Sequence, residues 1–287
     1  FVFFVREMKK ELLTVGVVLV MTTSLFAAAV DVNAIGDKEN NRSWPPSHYD
    51  VAFLPRVNVV HLDDSNFSTQ YHFLAGIPMS VFHYSGTVYQ SLLISDDIDN
   101  PADKTTDYMV DDWAAYLDDW GGAQHINFIG EISDTKKNEI LSTYNVSWEQ
   151  VSNITGDPVS VANQIALHGW KSSDTVVIAP YVTAPSEGDI ESISNAAVIA
   201  SLYNAPLLFT HTSSLSSETL NVIDKLNAVS AILVEVNDSM DAAINSQLQS
   251  AGVSVSDDLT SETMVVSKIR SVTGRSTLCA ILRNWQN

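Results

Sequence analysis

Between Val57 and Ala251, short runs of β-branched and apolar residues alternate with segments whose apolar residues recur every three or four positions. This alternation limits the fold more than any other feature of the chain. It predicts strands over 57–62, 91–94, 125–129, 175–179, 206–210 and 231–236. Between them it predicts helices over 108–120, 134–142, 159–168, 190–203, 216–226 and 240–251. Strands without polar alternation are buried on both faces, which in sequence order strand, helix, strand implies parallel sheets covered by helices. The expected class is therefore α/β, built of small Rossmann-like modules, each a parallel sheet with flanking helices.

The alternation also repeats itself. Ser91-Leu-Leu-Ile-Ser95, a helix ending at Trp120 and Ile126-Asn-Phe-Ile129 echo Pro206-Leu-Leu-Phe-Thr210, a helix ending at Leu226 and Ile232-Leu-Val-Glu235. Downstream, Val146-Ser147 and Val161-Ala-Asn-Gln-Ile165 echo Val253-Ser254 and Val265-Val-Ser-Lys-Ile269. A spacing of about 105 to 115 residues is too long for a solenoid and suits tandem small domains. The expected division is residues 1–34 as upstream sequence and signal peptide, and 35–69 as an N-terminal arm or linker with the first strand. A degenerate repeat over 70–153 and a better-defined one over 154–255 follow, and 256–287 is expected to begin a truncated third. Burial should then be organised module by module.

The start of the chain reads as an export signal. Met8-Lys9-Lys10 precedes an apolar run from Leu12 to Ala29, and small residues mark cleavage after Ala29 or after Ala34. An uncut leader of this length would instead just span a bilayer as an anchor. The chain carries 34 acidic against 15 basic residues, a formal charge of −19. Such a field repels nucleic acid and anionic lipid and disfavours both as partners. One cysteine, Cys279, can form no internal disulfide, so packing must supply the stability. In an exported chain the Asn-x-Ser/Thr triplets at Asn41, Asn66, Asn145, Asn153 and Asn237 are candidate glycan acceptors.

The stretch from Ile154 to Val255 holds Thr155-Gly-Asp157, Val161-Ala-x-x-Ile165-Ala, Ser173-Asp-Thr-Val-Val-Ile-Ala179, Ala196-Ala197, Asn204-Ala-Pro-Leu-Leu-Phe-Thr210 and Ser214-Leu-Ser-x-x-Thr219, then Leu226. In these blocks and their order the sequence resembles the cell-wall-binding repeat 2 family of surface proteins. The resemblance implies tandem α/β modules that hold a surface protein non-covalently to a cell-envelope polymer. It departs from the family at Asp157-Pro158-Val159, where an Arg and an aromatic normally follow the acidic residue, and at Gly130-Glu131 and Glu235-Val236, where a glycine pair is reduced. Losing that Arg removes a fork suited to carboxylate or phosphate.

Chemistry-bearing patterns are sparse. His61, His72 and His83 share a stretch with Asp63 and Asp64, but their spacing matches no helical or strand metal pair, and separate polar histidines are expected. Asp96-Asp97-Ile98-Asp99-Asn100 has the ligand density of a calcium loop without its glycine turn or later Glu; no cofactor is expected and the loop reads as a solvated acidic one, with an irregular calcium site, which has no motif behind it, as the alternative. There is no Gly-x-Ser-x-Gly elbow, and no Gly-rich phosphate loop follows a predicted strand, so a nucleotide ligand is not expected. Tyr108, Trp113, Tyr116 and Trp120 fall at near-helical spacing; the inner part of the set is expected in the core, while Trp120 beside Gly121-Gly122 could stack on sugar at a strand-end crevice.

The expected function is non-enzymatic attachment or adhesion at the cell surface, with envelope polysaccharide or another surface polymer as partner. Surface-layer proteins are a further partner class. Ser95, Thr210, Ser214 and Ser216, hydroxyls at strand ends, join Trp120 as candidate contacts; capping is the ordinary role of such hydroxyls. The alternative is an exported hydrolase acting on envelope polysaccharide or peptide through acidic-loop carboxylates.

Overall fold

Val57-Asn58-Val59-Val60, none of whose side chains reaches solvent, forms the middle of β1, Asp50–His61. The structure, a computed structural model, describes residues 50–63, 66–100, 105–118, 122–236 and 239–274. Two helix-covered sheets result. The first has strand order β2-β3-β1-β4-β5, with β2 Val81–Tyr84, β3 Thr87–Asp96, β4 His125–Ile129 and β5 Val151–Ile154. The second has order β7-β6-β8-β9, with β6 Thr175–Pro180, β7 Leu207–Thr210, β8 Ser230–Val234 and β9 Ser254–Leu259. Every pairing is parallel except β2 with β3, a hairpin turned at Ser85 (φ 51°) and Gly86 (φ 85°), the two positive φ values a tight hairpin turn needs.

The two sheets repeat one design. With the β2 hairpin set aside, β3-β1-β4-β5 and β7-β6-β8-β9 share their order and their sequence. Leu92 and Ile126 both pair with Val57, and Leu207 and Ile232 both pair with Val177, so the two sheets keep the same register. The helices α1 Phe67–Ser80, α2 Thr105–Asp118, α3 Asp134–Tyr144 and α4 Pro158–Gly169 accompany the first sheet. Their counterparts are α5 Glu187–Tyr203, α6 Ser217–Lys225, α7 Ala242–Ser250 and α8 Glu262–Thr273.

Boundaries differ from the sequence expectation in particular ways. β1 is the central strand of the first sheet, and α1 follows it directly, so the first unit starts by Asp50 rather than near residue 70. α1 was not expected, because its side chains from Tyr71 to Ser80 are all buried and leave no polar face to give a helical period. At the other end, β9 pairs with β8, and α8 packs on β9 and α5. Residues 254–273 therefore complete the second unit instead of opening a third.

Burial is not organised module by module. α1 packs on β1 and β3 of its own sheet and also on α4, α5 and β7. A continuous core joins Val60, Tyr71, Ile77, Ile129 and Ile165 of the first unit to Val177, Ala197 and Phe209 of the second. A smaller core on the far face of the first sheet holds Val57, Val59, Phe128, Leu117 and Ile140. Tyr71 stands at the joint: its ring meets Phe209 and Tyr181 edge-on at 4.9 and 5.0 Å, and its hydroxyl accepts from Val182 N–H and donates to Val182 C=O. Among the described side chains of α2, the ones that face the sheet are aliphatic. Val110 and Leu117 are buried and Ala114 packs beside them, whereas Trp113, expected among the aromatics of this helix, is exposed; the side chains of Tyr108, Tyr116 and Trp120 lie outside the described ones.

Candidate functional site

In open parallel sheets the loops beyond the carboxyl ends of the strands form the ligand crevice, at the strand where connections diverge. β1 and β6 hold that place here, each flanked by the next two parallel strands of its unit. At the first edge, His61 ends β1, Gly130 follows β4, Gly156 follows β5, and Asp97 follows β3. Gly130 has φ +89°, and a Cβ there would lie 3.3 Å from the His61 Cβ and 3.6 Å from His72 Nδ1. The positive φ and the close approach of both histidines call for glycine at this turn.

His72 reaches the same edge from α1. It is 5% exposed, and neither ring nitrogen has a hydrogen-bond partner among the described residues. Burial pushes its pKa down to about 4, against a smaller opposing pull from the Gly156 backbone and Asp157, so the ring is neutral at pH 7. His61 Nδ1 lies 3.9 Å from Asp97. Asp157 caps α4, its carboxylate accepting from Val159 and Ser160 N–H at 3.0 and 3.1 Å. Of the three N-terminal histidines, the fold thus gathers His61 and His72 and leaves His83 on the edge strand β2.

The acidic loop after β3 serves as a brace. Asp99 accepts from Ser133 N–H at 2.8 Å and from Ser133 Oγ at 2.6 Å, while the same serine caps α3. Among the described residues, no group of three His, Cys, Asp or Glu side chains is placed to hold a metal ion.

The second edge has different chemistry on the same frame. Tyr181 follows β6 and its ring lies 5.7 Å from that of His211, which follows β7. Glu235, 3% exposed, follows β8 and its carboxylate accepts from Met240 N–H. Thr210 is 1% exposed and donates to the Ser214 and His211 carbonyls at 2.9 and 3.1 Å, closing the turn rather than facing a ligand. Ser216 accepts from Thr219 N–H at 3.0 Å as the cap of α6. Ser95, the counterpart of Thr210, is buried near the end of β3. Ser214 is the exposed member of the four. Trp120 lies outside the described residues, as do Asn41, Asn237, Ala29 and Ala34.

The remaining glycan candidates are exposed. Asn66 caps α1 by accepting from Ser68 N–H at 3.0 Å, Asn145 takes the left-handed C-cap of α3, and Asn153 lies on the edge strand β5. Among the described residues, no helix is long and apolar enough to cross a membrane.

No protein-family model matches the chain, and no curated protein matches it. Among solved structures, Cwp8 from Clostridium difficile superposes with a TM-score of 0.52 at 14% identity, over 78% of this chain and 35% of that one. Cwp6 from the same organism gives 0.47 at 16% identity, over 73% of this chain and 28% of that one. The chain spans about a third of the length of these two proteins. What the likeness to Cwp8 shows is a shared α/β fold.

Proposed function

We propose that this chain is a non-enzymatic protein of the cell surface that attaches to an envelope polymer through its tandem α/β units. The observation that carries the reading is the repeated frame: two sheets of one strand order and register present two carboxyl-end edges at corresponding places on one continuous core. Paired edges at fixed separation raise effective concentration along a repeating polymer, so weak sites add up to firm retention. Two further facts favour it. The sequence blocks over 154–255 resemble cell-wall-binding repeat 2, and Cwp8, whose fold this chain shares, is a cell wall protein. The reading places the chain outside the cell, delivered by the apolar leader, with Ser214 as a surface contact and polysaccharide as the partner class.

The test is retention of the chain, freed of its leader, on isolated envelopes before and after removal of their polysaccharide. Binding to intact envelopes that disappears on stripping is the expected result. Equal retention on both would contradict polymer attachment.

A further inference from the structure

At the amino ends of its strands the first sheet carries a polar column with no counterpart in the second. Arg56 of β1 lies opposite His125 of β4, and Asn58 lies opposite Asn127. Strand alternation puts all four on the face of Val60 and Ile129, the one that α1 covers. His125 Nε2 is 3.0 Å from Ser152 Oγ on β5, and its ring stacks at 5.5 Å, interplanar angle 26°, on His168 near the end of α4. Deeper in, Asn127 Nδ2 donates to Asn58 Oδ1 at 2.6 Å, and Asn58 Nδ2 donates to Ser80 and Ser91 hydroxyls at 2.8 and 3.1 Å. Asn127 is fully buried, and its side chain favours the protonated form of His125.

The second sheet serves as an internal control. In the shared register, Val176 stands for Arg56, Ile178 for Asn58, Ala231 for His125 and Leu233 for Asn127. Val272 falls where α4 has His168. The fold is built without polar groups at these positions, so the column is not there to hold the sheet together.

Its chemistry is that of an anion receptor. Arg56 is half-buried, and no hydrogen bond or ion pair joins its guanidinium to a described residue, in a chain whose acidic side chains outnumber basic ones 34 to 15. Burial first, and the Arg56 charge second, hold both His125 and His168 below the ordinary histidine range. An oxyanion between the three would reverse that repulsion and accept charge-assisted hydrogen bonds from guanidinium and imidazolium. We propose that Arg56, His125 and His168 form a binding site for an oxyanion, a phosphate or carboxylate group, with Ser152 fixing the His125 ring. The site goes beyond the attachment reading and stands or falls separately from it.

Binding takes up protons on the two imidazoles, so affinity rises as pH falls from 8 toward 6. The groups that face the anion are Arg56 from β1, His125 from β4, Ser152 from β5 and His168 from α4. The experiment follows the histidine Cε1 proton resonances of the intact chain from pH 5 to 8 at constant ionic strength. Inorganic phosphate, acetate and a soluble phosphodiester polymer are added in separate arms. The titration midpoints of His125 and His168 are expected to rise by about 0.5 pH unit or more with phosphate or acetate, while that of His83 on the edge strand β2 stays in place. Arg56→Gln should remove the rise and Arg56→Lys should keep part of it. A response to the polymer at concentrations well below those needed for phosphate assigns the site to a polymer-borne group; a response to the small anions alone assigns it to a free one. Midpoints that ignore all three additions would overturn the proposal, as would equal rises in Arg56→Gln. Should that variant fail to fold, the unmodified chain decides by itself. Loss of envelope retention with these titrations intact would count against attachment and not against the anion site.

Discussion

At the residue scale, the consequential side chains are polar groups that the core has taken out of water. His72 is neutral in the fold with a pKa of about 4, against 6.5 for a free imidazole. Because the unfolded chain binds the proton more readily between those values, stability is full above pH 6.5 and falls as pH drops toward 4. The expected loss is about 3 kcal/mol by pH 4 relative to pH 7.5. Denaturant midpoints measured across that range check it, and His72→Leu should flatten this part of the profile. Tyr71 is the other such residue; burial raises its hydroxyl to about 12, so it stays protonated and donates to Val182 throughout the physiological range. Neither role could be read from sequence, because both depend on contacts made across more than fifty residues of chain.

At the element scale, local signals carried most of the layout. Asp157-Pro158 opens α4 with a side-chain cap and a proline where no N–H is needed, and Asn145 and Asn204 end α3 and α5 in the left-handed region. The run His125 to Ile129 was legible as a strand because Ile126, Phe128 and Ile129 make it short and β-prone and it follows Gly121-Gly122. α1 was illegible because it is apolar all round and holds Gly76 and Pro78, and β5 and β9 because their polar residues, such as Asn153 and Asp257, mask the strand pattern. Of the hydroxyls expected at strand ends, Ser95 and Thr210 lie there while Ser214 and Ser216 lie in the loop and helix cap beyond, and their partners decide their use. Ser216 spends its oxygen on the α6 backbone. Ser216→Ala should therefore cost about 1 kcal/mol of stability in chemical denaturation and leave envelope retention unchanged. A loss of retention at unchanged stability would return Ser216 to the binding surface.

At the scale of the whole molecule, one strand order has been used twice, and the copies have been joined rather than strung. α1 lies between the sheets, and α4, which follows the first sheet, packs on β7 and α6 of the second, where Asn163 donates to Thr219 at 3.2 Å with both side chains buried. Sequence repeats reveal copying but not docking, since the side chains that dock are apolar in either case. The equal frames with unequal edges suit a scaffold whose sites have diverged: imidazoles and glycine turns at one, Tyr181, His211 and Glu235 at the other. The join makes a definite demand on energetics, because α1 and α4 cannot leave one sheet without exposing the core of the other. Native-state hydrogen exchange in increasing denaturant tests this most directly, comparing amides of β4 with amides of β8. Shared helices predict that both sets open in one event, with the same free energy and the same denaturant slope. Opening of β4 at lower denaturant while β8 stays protected would contradict a common core.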